Sequence, residues 1–406
     1  MILARYYPSL APGTYRRLWT GVVPYHFAFQ IGIVATGSAA VTLSTSALEV
    51  GLMLGAWGVP ILFLPPFGGV AADRYPRRRT LLAAQLALGT GALAIGALAL
   101  AGALGIWHLI ALGLLQGTVY AFFAPARTAY TASAVPTPLV PNAVSAYSLS
   151  EHIAAVIGPA LGGLLVAMAG IGFRWAFVIV AILHAGIWVV FRGLPEQAVA
   201  QIDGRGRVFD RIREGMRYAR GLPSLRVVIA VSAVAMLLGM PFRQLMPVFA
   251  DRVHDAGPAG LGTLLAAAGV GAILGSIAVS QVRGDDNIRR LPGVLGAGFG
   301  LGALAFALAP SFGFAVALAA VAGAAAAAFT TTNSAIVASV PDPAYYGRAA
   351  SLYQLTFALG PLGAIPVAAL ADRIGAPEAV AAGGLLLAIT APLLARQLGQ
   401  ERRISR

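Results

Sequence analysis

The sequence predicts an all-α, polytopic membrane protein with twelve transmembrane helices in two parallel six-helix repeats. Three observations carry that expectation. The 406 residues are 58% hydrophobic and only 11% charged, whereas soluble proteins carry about 25% charged residues. The apolar residues gather into runs of about 20 or more, long enough to cross a bilayer. Motifs of the first half also return, in order, in the second.

The expected spans are 18–44, 47–71, 80–103, 107–133, 142–169 and 173–193, then 225–250, 259–282, 291–309, 311–338, 346–371 and 376–397. The 49 Gly and 25 Pro fit this class. Small residues let membrane helices approach closely, and neighbouring groups satisfy the carbonyls that Pro frees. Residues 1–17 are polar to mixed ahead of a full-length apolar span, so no cleavable leader is expected. The long polar stretch from Gly193 to Pro223 divides the chain. The expected domains are therefore residues 1–193, a linker over 194–223, and residues 224–406. Within the linker, Phe209, Ile212, Met216, Tyr218 and Ala219 recur at helical spacing among Arg211, Arg213, Arg217 and Arg220. That pattern predicts an amphipathic helix lying on the inner leaflet.

Charge orients the chain. All 28 basic residues are Arg, giving a net charge of +13. Arg252 and Arg373 fall in external loops on the predicted spans, with Arg174 at the outer end of its span, and Arg127 and Arg243 lie inside helices; the rest lie on or next to the side that holds Arg16 and Arg17. Arginine-rich short loops stay in the cytoplasm, so both termini are expected inside a multi-pass protein of the cell membrane. Aromatic residues do not interleave with the arginines as a nucleic-acid surface would require. Attraction to lipid headgroups accounts for the distribution. The chain has no Cys, which excludes disulfides and thiolate metal sites. His26, His108 and His184 stand near span ends or on apolar faces without a carboxylate at ligand spacing, so no metal is expected. No nucleophile–base set and no phosphate loop is present, so neither an enzyme nor a cofactor is expected.

The repeat is visible residue by residue. Arg127 to Ser133 lies on Asn333 to Ser339, each leading into a Val-Pro-x-Pro turn, Val135 to Pro138 and Val340 to Pro343. Gly51 and Gly58 correspond to Gly262 and Gly269, and Arg78 with Arg79 to Arg289 with Arg290. Parallel repeats of this kind place a substrate cavity at their interface near mid-membrane.

The turn Gly69-Val-Ala-Ala-Asp73-Arg74-Tyr-Pro76-Arg77-Arg78-Arg79 resembles the loop between helices two and three of the major facilitator superfamily, with Pro76 where that pattern has its second Gly. Further stretches resemble the superfamily's branch of transmembrane secretion effectors that contains the enterobactin exporter. They are Pro125-Ala126-Arg127, Leu139-Val140-Pro141-Asn142, Glu214-Gly215-Met216-Arg217-Tyr218 and Gly347-Arg348. Gly158-Pro159-Ala160-Leu161-Gly162-Gly163 is similar to the helix-five signature of exporters of the antiporter type. The resemblance covers nearly the whole chain. It implies a secondary transporter, most simply a proton-coupled exporter of a small amphipathic molecule such as a drug, siderophore or secondary metabolite. Import, or a non-transporting sensor or scaffold on the same fold, are the alternatives. Two departures stand out. Gly113 occupies the Arg position of an Arg-x-x-Gln-Gly motif whose Gln116-Gly117 remain, and Gly284 replaces the Asp of the second-half loop, with Asp285 beside it.

An ionisable group within a span is costly unless paired or hydrated, so each one marks a site. Arg127 lies about nine residues before the Pro136–Pro141 turn and Glu151 about ten after it, which puts both about 14 Å deep on adjoining helices. A Glu that alternately faces Arg and water changes its proton affinity with conformation. Arg127 and Glu151, with His152 beside them, are therefore the proton-coupling candidates, a static helix staple being the alternative. Gly69, Asp73, Arg74, Arg77 and Arg78 are the expected cytoplasmic latch. Gly158, Pro159, Gly162 and Gly163 are the expected hinge of helix five, where Pro removes a helix donor and the glycines permit a bend and close approach, a plain packing kink being the alternative. Gln30, Gln116, Asn333, Tyr353 and Gln354 are hydrogen-bonding groups expected to line the cavity or to bridge helices. Arg243 is expected to snorkel or to pair with Asp251. The expected partners are the bilayer, protons and a small-molecule substrate, for a monomeric protein.

Overall fold

The computed structural model of the protein describes residues 6–11, 13–168, 172–197, 217, 221–280, 285–339, 341 and 346–404. Among the described residues, every regular element is helical. Ten helices among these residues are long and apolar enough to cross a membrane. Numbered by the predicted crossings, helix one is Thr14–Leu43, helix three Arg77–Leu100, helix four Ile106–Ala134, helix five Val140–Ala167 and helix six Gly172–Arg192. Helix eight is Gly257–Ser280, helix ten Phe312–Ser339 and helix twelve Ala376–Ile404. Ile182, Val189, Leu274 and Leu393 are large apolar side chains left exposed on these helices, as positions facing acyl chains would be.

The other crossings differ from unbroken rods. The chain expected to form helix two consists of Ala47–Gly55, Gly58–Phe63 and Pro65–Arg74. Pro60, Pro65 and Pro66 remove amide donors there, and Gly55 and Gly58 weaken the helix between them. Helix seven consists of Pro223–Leu238, Pro241–Gln244 and Met246–Val248, followed by a π turn at Phe249–Val253; Pro241 and Pro247 each open a new piece. Helix nine, Asp285–Ala307, has a shorter apolar run, Leu291–Ala307. Helix eleven is Tyr346–Phe357 followed by Leu359–Ile374. The linker helix expected over Phe209 to Ala219 and the turn Val340 to Pro343 lie outside the described residues, Arg217 and Pro341 excepted.

Packing divides the chain into two compact units. The first comprises Met1–Leu43, Val59–Gly204 and Gly257–Gly262; the second comprises Ser44–Gly58, Arg205–Ala256 and Thr263–Arg406. In the first, helix one packs on helices five and six, and helix three on helices four and six. Its core includes Leu18, Tyr25, Leu81, Phe123, Tyr130 and Phe191. In the second, helix nine packs on helices ten and twelve, and helix seven on helices eleven and twelve. Phe242, Phe249, Phe299 and Phe306 form an aromatic cluster there, with ring centroids 4.9–6.0 Å apart, within the range of favourable ring pairs.

The glycines expected to act as a hinge form a packing seam. Helix five runs unbroken through Pro159. A Cβ on Gly158 would lie 2.6 Å from the Gln30 Cβ, and one on Gly162 3.1 Å from the Ile31 Cα. Gly163 meets Gly262, where a Cβ would lie 3.0 Å from that residue's Cα. Their absent side chains let helix one and the start of helix eight approach helix five closely. In the second unit Gly51, Gly55 and Gly58 lie in the same way against Ala368 and Pro361 of helix eleven.

Candidate functional site

Within the first unit, helices one, four and five bring together a cation, several aromatic rings and unpaired polar atoms. Arg127 lies over the ring of Tyr147, its guanidinium carbon 3.6 Å from the ring centroid. Tyr147 stands edge-on to His26 at 4.8 Å, and Tyr25 meets both His26 and Phe123, the latter at 4.7 Å. His26 Nδ1 hydrogen-bonds the Ser150 hydroxyl at 3.1 Å. The Tyr15 hydroxyl donates to the Ala143 carbonyl at 2.5 Å and the Trp19 indole to the Ala146 carbonyl at 3.0 Å, fixing helix one against helix five. Three buried polar atoms of these side chains have no partner among the described residues: Arg127 Nη1, His26 Nε2 and Gln30 Oε1. Buried polar atoms are nearly always bonded. Open ones, including a nitrogen of the cation itself, can therefore receive a solute's polar group.

The structure corrects one expectation here. Arg127 and Glu151 do not form an ion pair. Arg127 stacks on Tyr147 instead, and Glu151, one helical turn further along the same face, is exposed. Stacking satisfies a guanidinium without a carboxylate, at about 2 kcal/mol when desolvated, so equal depth on adjoining helices did not require pairing. His152, next to Glu151, is also exposed. Tyr25, His26 and Tyr147 belong to the cluster, although sequence reading did not single out the two tyrosines and set His26 aside. Tyr147 stands four residues before Glu151, and that spacing was the available signal.

The turn at Asp73 is tied down by its arginines. Arg77 donates to the Ala129 carbonyl and the Ser133 hydroxyl, each at 3.2 Å. Arg78 donates to the Arg192 carbonyl at 2.6 Å, where a cation complements the C-terminal end of helix six. Arg79 pairs with Glu196 at 3.1 Å, both exposed. Asp73 and Arg74 are exposed, and Asp73 makes no hydrogen bond or ion pair with any described residue. The tightly held glycine is Gly68, whose Cβ would fall 1.9 Å from the Ala121 carbonyl oxygen, while Gly69 faces open space.

The remaining candidates divide. Gln30 is buried against Gly158. Gln116 is half-buried and Gln354 exposed. Asn333 is fully buried, donates to Ser232 at 3.0 Å and leaves its Oδ1 unpaired, and Tyr353 donates to the Thr330 carbonyl at 3.1 Å. Both bridge helices of the second unit. His184 lies 2.7 Å from Gln85 Oε1, bridging helices six and three. Arg243 and Asp251 do not pair.

Comparison with known proteins adds three findings. The profile of the family described as transmembrane secretion effector matches residues 5–401. The multidrug efflux pump Tap of Mycolicibacterium fortuitum is 28% identical over 245 residues, covering 57% of this chain and 58% of the pump. The enterobactin exporter EntS of Escherichia coli O1:K1 / APEC is 27% identical over 256 residues, covering 62% of this chain and 55% of the exporter. The matched stretches thus span little more than half of these relatives. Among solved structures, a bacterial homologue of the human lysosomal transporter Spinster, in an inward-facing and unoccupied conformation, superposes with a TM-score of 0.73 at 16% identity, covering 96% of this chain and 98% of that one. The nucleoside transporter NupG superposes with a TM-score of 0.68 at 15% identity, covering 95% and 98%. At such identities these two likenesses concern the fold.

Proposed function

Because the chain belongs to the transmembrane secretion effector family of major facilitator transporters, we propose that it exports a small amphipathic molecule by alternating access, driven by inward proton movement, with both termini in the cytoplasm. The observation that carries this reading is the half-buried cation of the first unit, whose Nη1 is itself buried. Arg127, stacked on Tyr147 with Nη1 unpaired, offers a planar donor to an acidic or acceptor group. The rings of Tyr25, Phe123 and Tyr147 offer apolar surface beside it. A substrate with one acidic group and an apolar body satisfies both. Glu151, exposed one turn from the stacked ring, is the proton acceptor in this reading: it binds a proton from outside and yields it inside. The two efflux relatives support outward transport.

Comparing metabolites released by cells that lack and cells that overproduce the protein identifies the substrate. In proteoliposomes, its export should then rise with an imposed pH gradient of the driving sign. Flux that ignores the gradient would remove proton coupling from the reading.

Asp73→Asn is expected to abolish transport with insertion unchanged. Asp73, held on a turn fixed by Arg77 and Arg78, is left free to engage a helix terminus at another stage of the cycle. Such a charge–dipole contact is worth about 0.3–1 kcal/mol at a surface and more when partly buried. Transport by Asp73→Asn at the parent rate would leave the turn as a topology anchor only.

A further inference from the structure

The turn between helices one and two, Ser44 to Ser46, belongs to the second unit, although it follows the first helix of the first repeat. Charge complementarity at both of its flanks holds it there. Helix two opens with Ser46 as N-cap, its hydroxyl accepting from the Glu49 amide at 3.3 Å. The Asp372 carboxylate, at the end of helix eleven, accepts the Ser46 hydroxyl at 2.6 Å, the Ala47 amide at 2.5 Å and the Leu48 amide at 3.1 Å. First-turn amides have no partner within their own helix and carry the positive end of its dipole. The anion therefore sits where an anion is most favoured. On the other flank, Arg252, at the end of helix seven, donates to the Thr45 carbonyl at 2.8 Å and to the Ser44 carbonyl, just past the end of helix one, where a cation is favoured. One acid and one base thus grip the two ends of one turn through its main chain.

Below the grip the contact is tight but shallow in chemistry. Gly51, Gly55 and Gly58 lie on Ala368, Pro361 and Ile365, so the contact itself is made largely by backbone and small side chains. The gripping groups are exposed, so water replaces each bond as it breaks and the individual contacts are modest. Such a contact can be made and broken in every cycle.

A second observation sets the direction. The tripeptide Ala371-Asp372-Arg373 ends helix eleven as Ala72-Asp73-Arg74 ends helix two. Asp372 accepts three hydrogen bonds, whereas Asp73 makes no hydrogen bond or ion pair with any described residue. In the proposed orientation they lie on opposite sides of the membrane. We propose that Asp372 and Arg252 are positioning residues for the access step, forming an outer latch that holds the helix one–two turn at one end of the transport cycle, while Asp73 forms its counterpart at the other. The proposal rests on the transporter reading and its orientation but not on the identity of the substrate.

The test uses the full chain, which has no native Cys. Val50, fully buried one turn into helix two, is replaced by Cys, and intact cells are treated with a membrane-impermeant maleimide. Labelling is expected to be slow in the otherwise native chain and about tenfold faster with Asp372→Asn, since losing charge-assisted bonds worth about 1.4 kcal/mol shifts an equilibrium tenfold. Asp73→Asn should slow it, because weakening one latch favours the other. A merely structural role for Asp372 would not predict that opposite effect. Arg373→Gln, outside the grip, should leave the rate unchanged. Ser46→Ala removes one of the three bonds to Asp372, together with the N-cap bond from Glu49, and should accelerate labelling less; it serves if Asp372→Asn is poorly produced. Equal labelling across parent, Asp372→Asn and Ser46→Ala would overturn the latch. Labelling that needs permeabilised cells yet still accelerates with Asp372→Asn would support the latch and overturn the orientation.

Discussion

Arg127→Ala is expected to abolish export, with the protein still inserted and folded. The guanidinium contributes a stack on Tyr147 at 3.6 Å and an open donor among buried polar atoms. A desolvated cation–π contact is worth about 2 kcal/mol, and a hydrogen bond to a charged group about 1.5–3 kcal/mol. The stack holds the donor in place, and loss of the hydrogen bond it presents should weaken binding of an acidic substrate about ten- to a hundredfold. Because Glu151 is exposed and does not pair with Arg127, removing the arginine strands no buried carboxylate. The damage should therefore fall on transport and not on stability. Arg127→Lys keeps the charge but loses the planar stack and the fork of donors, so partial transport with a raised KM is expected. Glu151→Gln separates the two roles: export should no longer respond to a pH gradient, while exchange of substrate across the membrane survives. Both are read as substrate flux in proteoliposomes with and without the gradient. Gradient-stimulated export by the Glu151→Gln protein would exclude Glu151 from coupling, and full transport by the Arg127→Ala protein would exclude the arginine from the site.

Gly271→Val is expected to eliminate folded protein. A Cβ at Gly271 would lie 1.8 Å from the Ala320 carbonyl oxygen, one at Gly275 2.0 Å from that of Ala324, and one at Gly323 2.2 Å from that of Ala268. Helices eight and ten meet there backbone to backbone. Overpacking usually costs about 1–3 kcal/mol because side chains can give way. Here the obstacle is a carbonyl oxygen, so the two helices must separate along the whole seam. They would lose the dispersion contacts that hold membrane helices together, since lipid offers no hydrophobic drive to restore them. Gly271→Ala should lower thermal stability markedly and Gly271→Val should leave no monodisperse protein in detergent. Gly298→Ala, facing open space on helix nine, should stay within about 0.5 kcal/mol of the parent. A Gly271→Val protein that melts near the parent temperature would refute the seam.

Much of this protein was legible in one dimension because the bilayer imposes one-dimensional rules. Apolar runs of sufficient length, arginines sorted to one side and motifs repeated in the second half led to a helical membrane protein. The turn at Gly69 to Arg79 and the run Gly158 to Gly163 led to its family. Glycine spacing also marked close helix contacts, as at Gly158 and Gly162 against helix one. The helix breaks at Pro65 and Pro241 had their signals in the same residues that broke them.

What the tertiary structure decided are the questions that depend on direction and on main-chain atoms. Depth along a helix follows from counting residues, but which way a side chain turns depends on its neighbours. Arg127 was therefore placed at the height of Glu151 from sequence and found stacked on Tyr147 in the fold. Gly69 belongs to the motif, yet Gly68 is the residue against the Ala121 backbone, because a one-residue step turns a helix by about 100°. The grip of Asp372 and Arg252 was invisible for a simpler reason. Its partners on the turn are chiefly the amides of Ala47 and Leu48 and the carbonyls of Ser44 and Thr45. Every residue carries those groups, so no side-chain pattern records where they are used.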